Sequence, residues 1–317
     1  MTELEDKLRL EIGRLLDEKI VDVVFGFRKA DSPLHPQPAF FTNPAELDEL
    51  VYNGLCQNNL AAFLPRYGLE TKIGMVVRGC ENRSVNALVV EHQHARENLY
   101  LIGVPCHGIV DWRKLVEAAD EDISGFNETD AEVTLEIKGK TLHFERNAML
   151  HDSCLRCIHP NPLNANLTLG ELLPEGNPAL ARAEVESFDK LDLKARNDWF
   201  QHESERCIRC YACREACPMC YCIECFVDHT SPRWTETSTT PAGMQGWHIV
   251  RAFHQTGRCV SCGACERACP MDIRMTYLTE KLNEDMRREY HFETGMDIKT
   301  QPPFAAFTLD DKARFTI

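Results

Sequence analysis

The sequence predicts two consecutive domains: an α/β domain built on a small parallel sheet, then an α-helical domain organised by cysteines. Three observations predict it. Continuous apolar runs at Ile20 to Phe27, Lys72 to Val77 and Asn98 to Val104 are separated by helical patterns, which is how strands buried on both faces read. Two copies of C-x2-C-x2-C-x3-C-P follow, Cys207/Cys210/Cys213/Cys217-Pro218 and Cys259/Cys262/Cys265/Cys269-Pro270. The segment between Cys217 and Cys259 is too long for a compact β-turn, and Met244, Trp247, Val250 and Phe253 in it follow a helical period.

The elements read in order as follows. Thr2-x-x-Glu5 is a capping box, and Leu8, Ile12, Leu15 and Leu16 continue it as a helix of about fifteen residues. Ile20 to Phe27 is a strand, and Asp31 to Pro38, with three prolines, is a loop. Asn43-Pro44 opens a second helix. Lys72 to Val77 is a strand that turns at Arg78-Gly79-Cys80 into a helix from Ser84 to Glu91. Asn98 to Val104 is the next strand and runs into Pro105-Cys106-His107-Gly108. Cys80 and Cys106 thus both fall just past strand ends, where α/β sheets place ligands. Ala131 to Phe144 alternates as a β-hairpin around Gly139-Lys140. Leu173 to Arg196 is helical in composition, as is Ile273 to Arg288. Domain bounds follow at 1–194, 195–290 and a tail at 291–317.

The repeated motif is the run that ligates two 4Fe–4S cubes in bacterial ferredoxins, with the fourth cysteine of each run serving the other cube. The crossed assignment is Cys207, Cys210, Cys213 and Cys269 for cluster A, and Cys259, Cys262, Cys265 and Cys217 for cluster B. Zinc would ask for two C-x2-C pairs instead. The second domain therefore reads as an α-helical two-cluster ferredoxin domain. Cys80, Cys106 and the pair Cys154/Cys157 remain in the α/β domain as a third 4Fe–4S site, with zinc as its rival.

The chain has 317 residues, 16 of them cysteine, and begins with an acidic stretch in place of a signal peptide. No apolar run is long enough to span a bilayer. Reduced, metal-bound cysteines in a cytoplasmic protein of low-oxygen metabolism are expected. A net charge of −14 argues against nucleic acid as a partner. No Ser-His-Asp arrangement, H-E-x-x-H or Walker loop points to hydrolysis.

Ile20 to Gly26, Phe41-Thr42-Asn43-Pro44-Ala45-Glu46-Leu47 and Gly103-Val104-Pro105-Cys106-His107-Gly108 resemble the β subunits of coenzyme F(420)-reducing hydrogenases and related formate dehydrogenases. Cys154-x2-Cys157 followed by Asn164 to Gly170 is similar to a further motif of that family. The resemblance covers residues 15 to 175. The cysteine-rich part resembles the α-helical ferredoxins of heterodisulfide reductase and fumarate reductase iron–sulfur subunits, above all in His248 to Cys259. The resemblance implies an electron-relay subunit of a hydrogenase, formate dehydrogenase or heterodisulfide reductase complex, with a 4Fe–4S cluster in the α/β domain. It also implies FAD, as family members commonly bind it to exchange electrons with the deazaflavin. Here Asn166 stands where an acidic residue is expected, the ferredoxin motifs follow the α/β domain instead of preceding it, and no G-x-G-x-x-G is present.

Cys56, Cys220, Cys222 and Cys225 are left over. The last three read as buried neighbours or substitute ligands of cluster B, and Cys56 as part of a helix. His107, His248 and His254 read as supporting residues, and Arg206, Arg209, Arg214, Arg258 and Arg267 as positive charges near the clusters. The expected function is an iron–sulfur electron-transfer subunit of a cytoplasmic multi-subunit oxidoreductase. The rival is a flavin-containing subunit that itself oxidises or reduces a deazaflavin or nicotinamide-type hydride carrier.

Overall fold

The computed structural model describes residues 2–119 and 122–307; the last part of the expected tail, 308–317, lies outside the described residues. Helix α1 (Glu3–Asp17) starts at the capping box: the Glu5 N–H donates to Thr2 Oγ1 at 3.3 Å, and the Thr2 N–H donates to Glu5 Oε2 at 3.1 Å. Strands β1 (Val23–Arg28), β2 (Gln37–Phe41), β3 (Ile73–Val77) and β4 (Leu99–Gly103) follow, with helix α2 (Gly79–Val90) between the last two. With β8 (Leu167–Thr168) they form one sheet in the order β2-β1-β3-β4-β8. All its neighbours are parallel except β2, which pairs antiparallel with β1.

Alternation along the strands gives the sheet two apolar faces. Val23, Phe25, Met75, Val77 and Leu101 pack with α2 residues Val85 and Leu88. Val24, Val76 and Ile102 face Leu8, Ile12 and Leu15 of α1. A second, antiparallel sheet, β5 (Gly125–Glu128), β6 (Glu132–Ile137) and β7 (Lys140–Glu145), contains the expected hairpin. It packs on α3 (Trp112–Ala119) through Leu115, Val133 and Leu135. The four-residue helix α4 (Asp152–Leu155) follows.

Three local readings change. The loop at Asp31 to Pro38 ends in strand β2 at Gln37, because an outer strand tolerates the missing N–H of Pro38. Helix α2 begins at Gly79, so Cys80 lies in its first turn and not in the turn before it. Cys56 is in a turn, not a helix, fully buried beneath the sheet's end. That turn is held from a distance, by the Gly54 N–H donating to Glu128 Oε1 at 2.7 Å.

The helical half comprises α5 (Pro178–Asp189), α6 (Leu193–Glu205), α7 (Ala212–Glu215), α8 (Pro241–His254), α9 (Ala264–Arg267) and α10 (Thr276–Tyr290). Phe188 of α5 and Trp199 of α6 meet Tyr277 of α10, with ring centroids 5.1 and 4.8 Å away. After α10 the chain returns to α2. There the buried Arg83 guanidinium donates to Thr294 O at 2.9 and 3.1 Å and pairs with Glu293, and Asn86 Nδ2 donates to Gly295 O at 2.8 Å. The two halves are also joined by a bidentate Arg258–Glu91 pair at 2.6 and 2.7 Å. Among the described residues no helix is long and apolar enough to cross a membrane.

Candidate iron–sulfur sites

The register of β3 and β4 sets Val77 opposite Gly103. Cys80 and Cys106 each come three residues later, so the segments after the two strands deliver their thiols side by side at the sheet's carboxyl end. Cys106 N–H donates to Pro160 O at 3.1 Å, which draws the segment after α4 over that end. A Cβ on Gly79 would stand 2.2 Å from the His159 carbonyl oxygen, so only glycine lets this segment come so close. Cys80, Cys106, Cys154 and Cys157 line one cavity of about 720 Å³, and Cys262 of the helical half opens into it too. Backbone N–H groups of Gly108 and Ile109 donate to Cys106 Sγ at 3.4 Å and Cys154 Sγ at 3.2 Å.

The two cysteine runs of the helical half share one backbone course. Arg209 and Tyr211 in the first, and Ser261 and Gly263 in the second, have φ of 58°, 61°, 61° and 71°. The same left-handed pair, two and four residues after the leading cysteine, curls each loop around its thiols. Three of these residues carry a Cβ, at about 1–3 kcal/mol each, a strain that clusters at functional sites. In both loops the residue at the first left-handed position donates its N–H to the leading cysteine, Arg209 to Cys207 Sγ and Ser261 to Cys259 Sγ, each at 3.4 Å.

Thiols close enough to affect one another's ionisation are neighbours in the fold. Burial pushes Cys207 and Cys213 up, and the nearby Cys269 and Cys210 add to it for both. Burial pushes Cys259 up to about 12, with Cys262 and Cys217 among its neighbours, and Cys265 rises with Cys217 and Cys259 beside it. Cys269 thus stands near Cys207 and Cys213, and Cys217 near Cys259 and Cys265. Cys80 rises mainly through burial, and Cys262 and Cys106 are close enough to raise it further.

Thiols this desolvated ionise only against a cation, which is the state metal binding enforces. The all-sulfur donor sets, with N–H groups aimed at the sulfurs, suit iron–sulfur clusters. Among the described residues no three His, Cys, Asp or Glu side chains are arranged to hold a single metal ion. A cube of four irons takes one thiolate per iron, so its ligands stand around a body and do not meet at a point.

The remaining cysteines divide. Burial pushes the thiol of Cys56 up to about 12. Cys220 hydrogen-bonds Cys217 and accepts from Gln255 Nε2 at 3.4 Å, so it is a direct neighbour of the Cys217 thiol. Cys222 and Cys225 line the same cavity of about 270 Å³ as Cys220. Of the histidines, His107 faces Asp130 at 3.4 Å, His254 packs edge-on against Phe226, and burial lowers His248 to about 4. Asn166 accepts from the Leu101 N–H at 2.9 Å and from Arg96 at 3.1 Å, a role at the sheet edge.

Sequence reasoning missed Arg251 and Gln255. Arg251 lies on the buried face of α8 and Gln255 caps its end, at successive four-residue steps from Trp247, and that helical period was the available signal.

Residues 203–273 match the family described as 4Fe-4S dicluster domain. The chain is thus an iron–sulfur protein with a two-cluster domain at its carboxyl side. It is 25% identical to the F420-dependent formate dehydrogenase subunit beta of Methanocaldococcus jannaschii, over 92% of this chain and 91% of that one. It is 26% identical to the F420-dependent formate dehydrogenase 1 subunit beta of Methanococcus maripaludis, over 91% and 90%. One chain of the F420-reducing [NiFe] hydrogenase complex from Methanosarcina barkeri aligns with 48% of this chain and 58% of its own, at 14% identity and a TM-score of 0.40, too low to carry an argument.

Proposed function

We propose that the chain is an iron–sulfur electron-transfer subunit of a cytoplasmic, multi-subunit oxidoreductase of the formate dehydrogenase type, with three 4Fe–4S sites in line. Cys80, Cys106, Cys154 and Cys157 hold the first. Cys259, Cys262, Cys265 and Cys217 hold the second, and Cys207, Cys210, Cys213 and Cys269 the third. The observation that carries this reading is Cys262, which lines the cavity of the four N-terminal thiols while belonging to the adjacent set. Bound there, the clusters supply one-electron transfer. The chain's own part is to space the thiols and to turn backbone N–H groups toward the sulfurs. Sixteen free cysteines support a reducing compartment. The names of the relatives support the complex type and a deazaflavin as the distant donor or acceptor.

A second reading has its own support. Beyond Cys106 lies a separate cavity of about 450 Å³, lined by Lys7, Tyr52, Arg78, Arg146 and Gly170. A flavin or a deazaflavin there would meet cationic side chains next to the first site.

Iron and sulfide analysis of anaerobically purified protein tests the first reading: about twelve irons are expected, about eight would remove the N-terminal site, and about sixteen would bring in Cys220, Cys222 and Cys225. Stoichiometric flavin released on denaturation would add the second reading; its absence would leave the relay alone.

A further inference from the structure

Among the described residues six arginines are buried, and they fall into two groups. In the α/β half, Arg78, Arg83 and Arg146 each face a carboxylate, Glu81, Glu293 and Glu128, at 2.9, 3.2 and 2.6 Å. In the helical half, Arg209, Arg251 and Arg267 have no carboxylate within ion-pair distance among the described residues. Arg209 donates to Tyr211 Oη and to the Ser238 carbonyl, and Arg267 to the carbonyls of Gln57 and Cys262. Arg251 is the least satisfied. One terminal nitrogen donates to Cys213 O at 3.2 Å, the other reaches Met275 Sδ at 3.9 Å, and Nε has no partner.

A buried guanidinium without a counter-ion is expensive, so negative charge must come from elsewhere. The position of Arg251 identifies it. Its carbonyl acceptor belongs to Cys213 of cluster A. One helical turn on, Gln255 contacts Cys217 of cluster B through Oε1 at 3.5 Å. The thiols whose charge acts on Arg251 are, in falling order, Cys265, Cys217, Cys220 and Cys213, with members of both sets among them, and Cys220 also hydrogen-bonds the guanidinium.

We propose that Arg251 is the shared counter-charge of the two cluster sites in the helical half, holding the reduction potentials of both above the values their thiolates alone would give. This rests on the ligand sets proposed above. Reduction adds an electron to a site already rich in thiolate charge. A fixed cation in a poorly screened interior therefore stabilises the reduced form more than the oxidised one. Arg251 is a positioning residue for charge and binds no iron.

The test is a redox titration of the intact chain followed by paramagnetic resonance, on wild type, Arg251→Met and Arg251→Lys. In Arg251→Met both couples should move to lower potential, each reduction equilibrium falling at least tenfold, which is 59 mV for a one-electron couple. Arg251→Lys should restore most of the shift. Arg66→Gln, at an exposed arginine on the wall of the cavity of about 270 Å³ that Arg251 and Cys220 also line, should leave both couples where they are. Full iron content with unmoved couples in Arg251→Met would overturn the inference, as would a shift confined to one couple or an equal shift in Arg66→Gln. Should Arg251→Met fail to load, Arg251→Gln keeps a donor for the Cys213 carbonyl and reads the same shift. Wild-type protein lacking the two signals would instead sink the ligand sets themselves, so the two failures are distinct.

Discussion

Both halves of the molecule gather thiols in sets of four, but they do so in opposite ways. In the helical half each proposed set takes three cysteines from one short loop and a fourth from the equivalent loop, and both loops repeat the same left-handed pair of residues. In the α/β half the set is collected from three distant places: the start of α2, the end of β4 and the segment around α4. A loop can place three of the four thiols of a set in the helical half by itself. The arrangement in the α/β half exists only if the sheet register, the Gly79 contact and the return of residues 157–161 are all correct. The difference in charge follows the same division, with buried arginines paired to carboxylates around the sheet and left without them among the cysteine loops.

The strongest test of the contrast is Cys217→Ser. If the runs exchange their fourth cysteines, the cluster of Cys259, Cys262 and Cys265 should be lost or altered in paramagnetic resonance, while that of Cys207, Cys210 and Cys213 keeps its signal. The reverse result would make the two loops self-contained and end the crossed assignment. Next comes Arg78→Met, which acts on the other half. Arg78 is buried, pairs with the buried Glu81, and donates to the carbonyls of Cys56 and Asn58 at 2.6 and 2.8 Å. Leaving Glu81 buried alone should cost about 3–5 kcal/mol in chemical denaturation. Because Cys80 stands two residues on, the N-terminal iron should fall first and the helical half should keep its clusters. Equal loss from both halves would show that the two build their sites as one unit.

The smallest effect concerns the strap that ties the halves together. Burial opposes ionisation of Glu293, but the hydrogen bond with His159 and the charges of Arg83 and Arg287 hold it down at about 2. An acid lowered in the folded state stabilises it above its ordinary value near 4.5, and that contribution is lost as pH falls toward 2. Glu293→Gln should therefore weaken the docking of residues 291–295 on α2 at neutral pH and flatten the acid dependence below about 4.5. Amide hydrogen exchange of Thr294 and Gly295 reads this directly. Unchanged protection would assign the docking to the backbone contacts of Arg83 and Asn86 alone.

Much of the architecture was legible in particular residues. The Thr2/Glu5 box formed as written, and three apolar runs became β1, β3 and β4, because strands covered on both faces need unbroken hydrophobicity. Strand β2 was not legible, since Pro33, Pro36 and Pro38 carry turn signals that only an edge position overrides. Nor was the Cys56 turn, whose conformation depends on Glu128, 74 residues away from Gly54.

The sequence by itself determined the two cysteine loops, because spacing within a dozen residues dictates which way each thiol turns, and it is the source of the crossed pairing proposed for them. It also determined that Cys80 and Cys106 would emerge together, because parallel strands of equal length end at the same level. Tertiary structure alone decided that Cys262 faces the N-terminal thiols, that Arg251 stands without a carboxylate between two cysteine sets, and that the tail returns to Arg83. These are contacts between segments up to 211 residues apart. Their geometry follows from how whole faces pack, and no local pattern of residues carries that information.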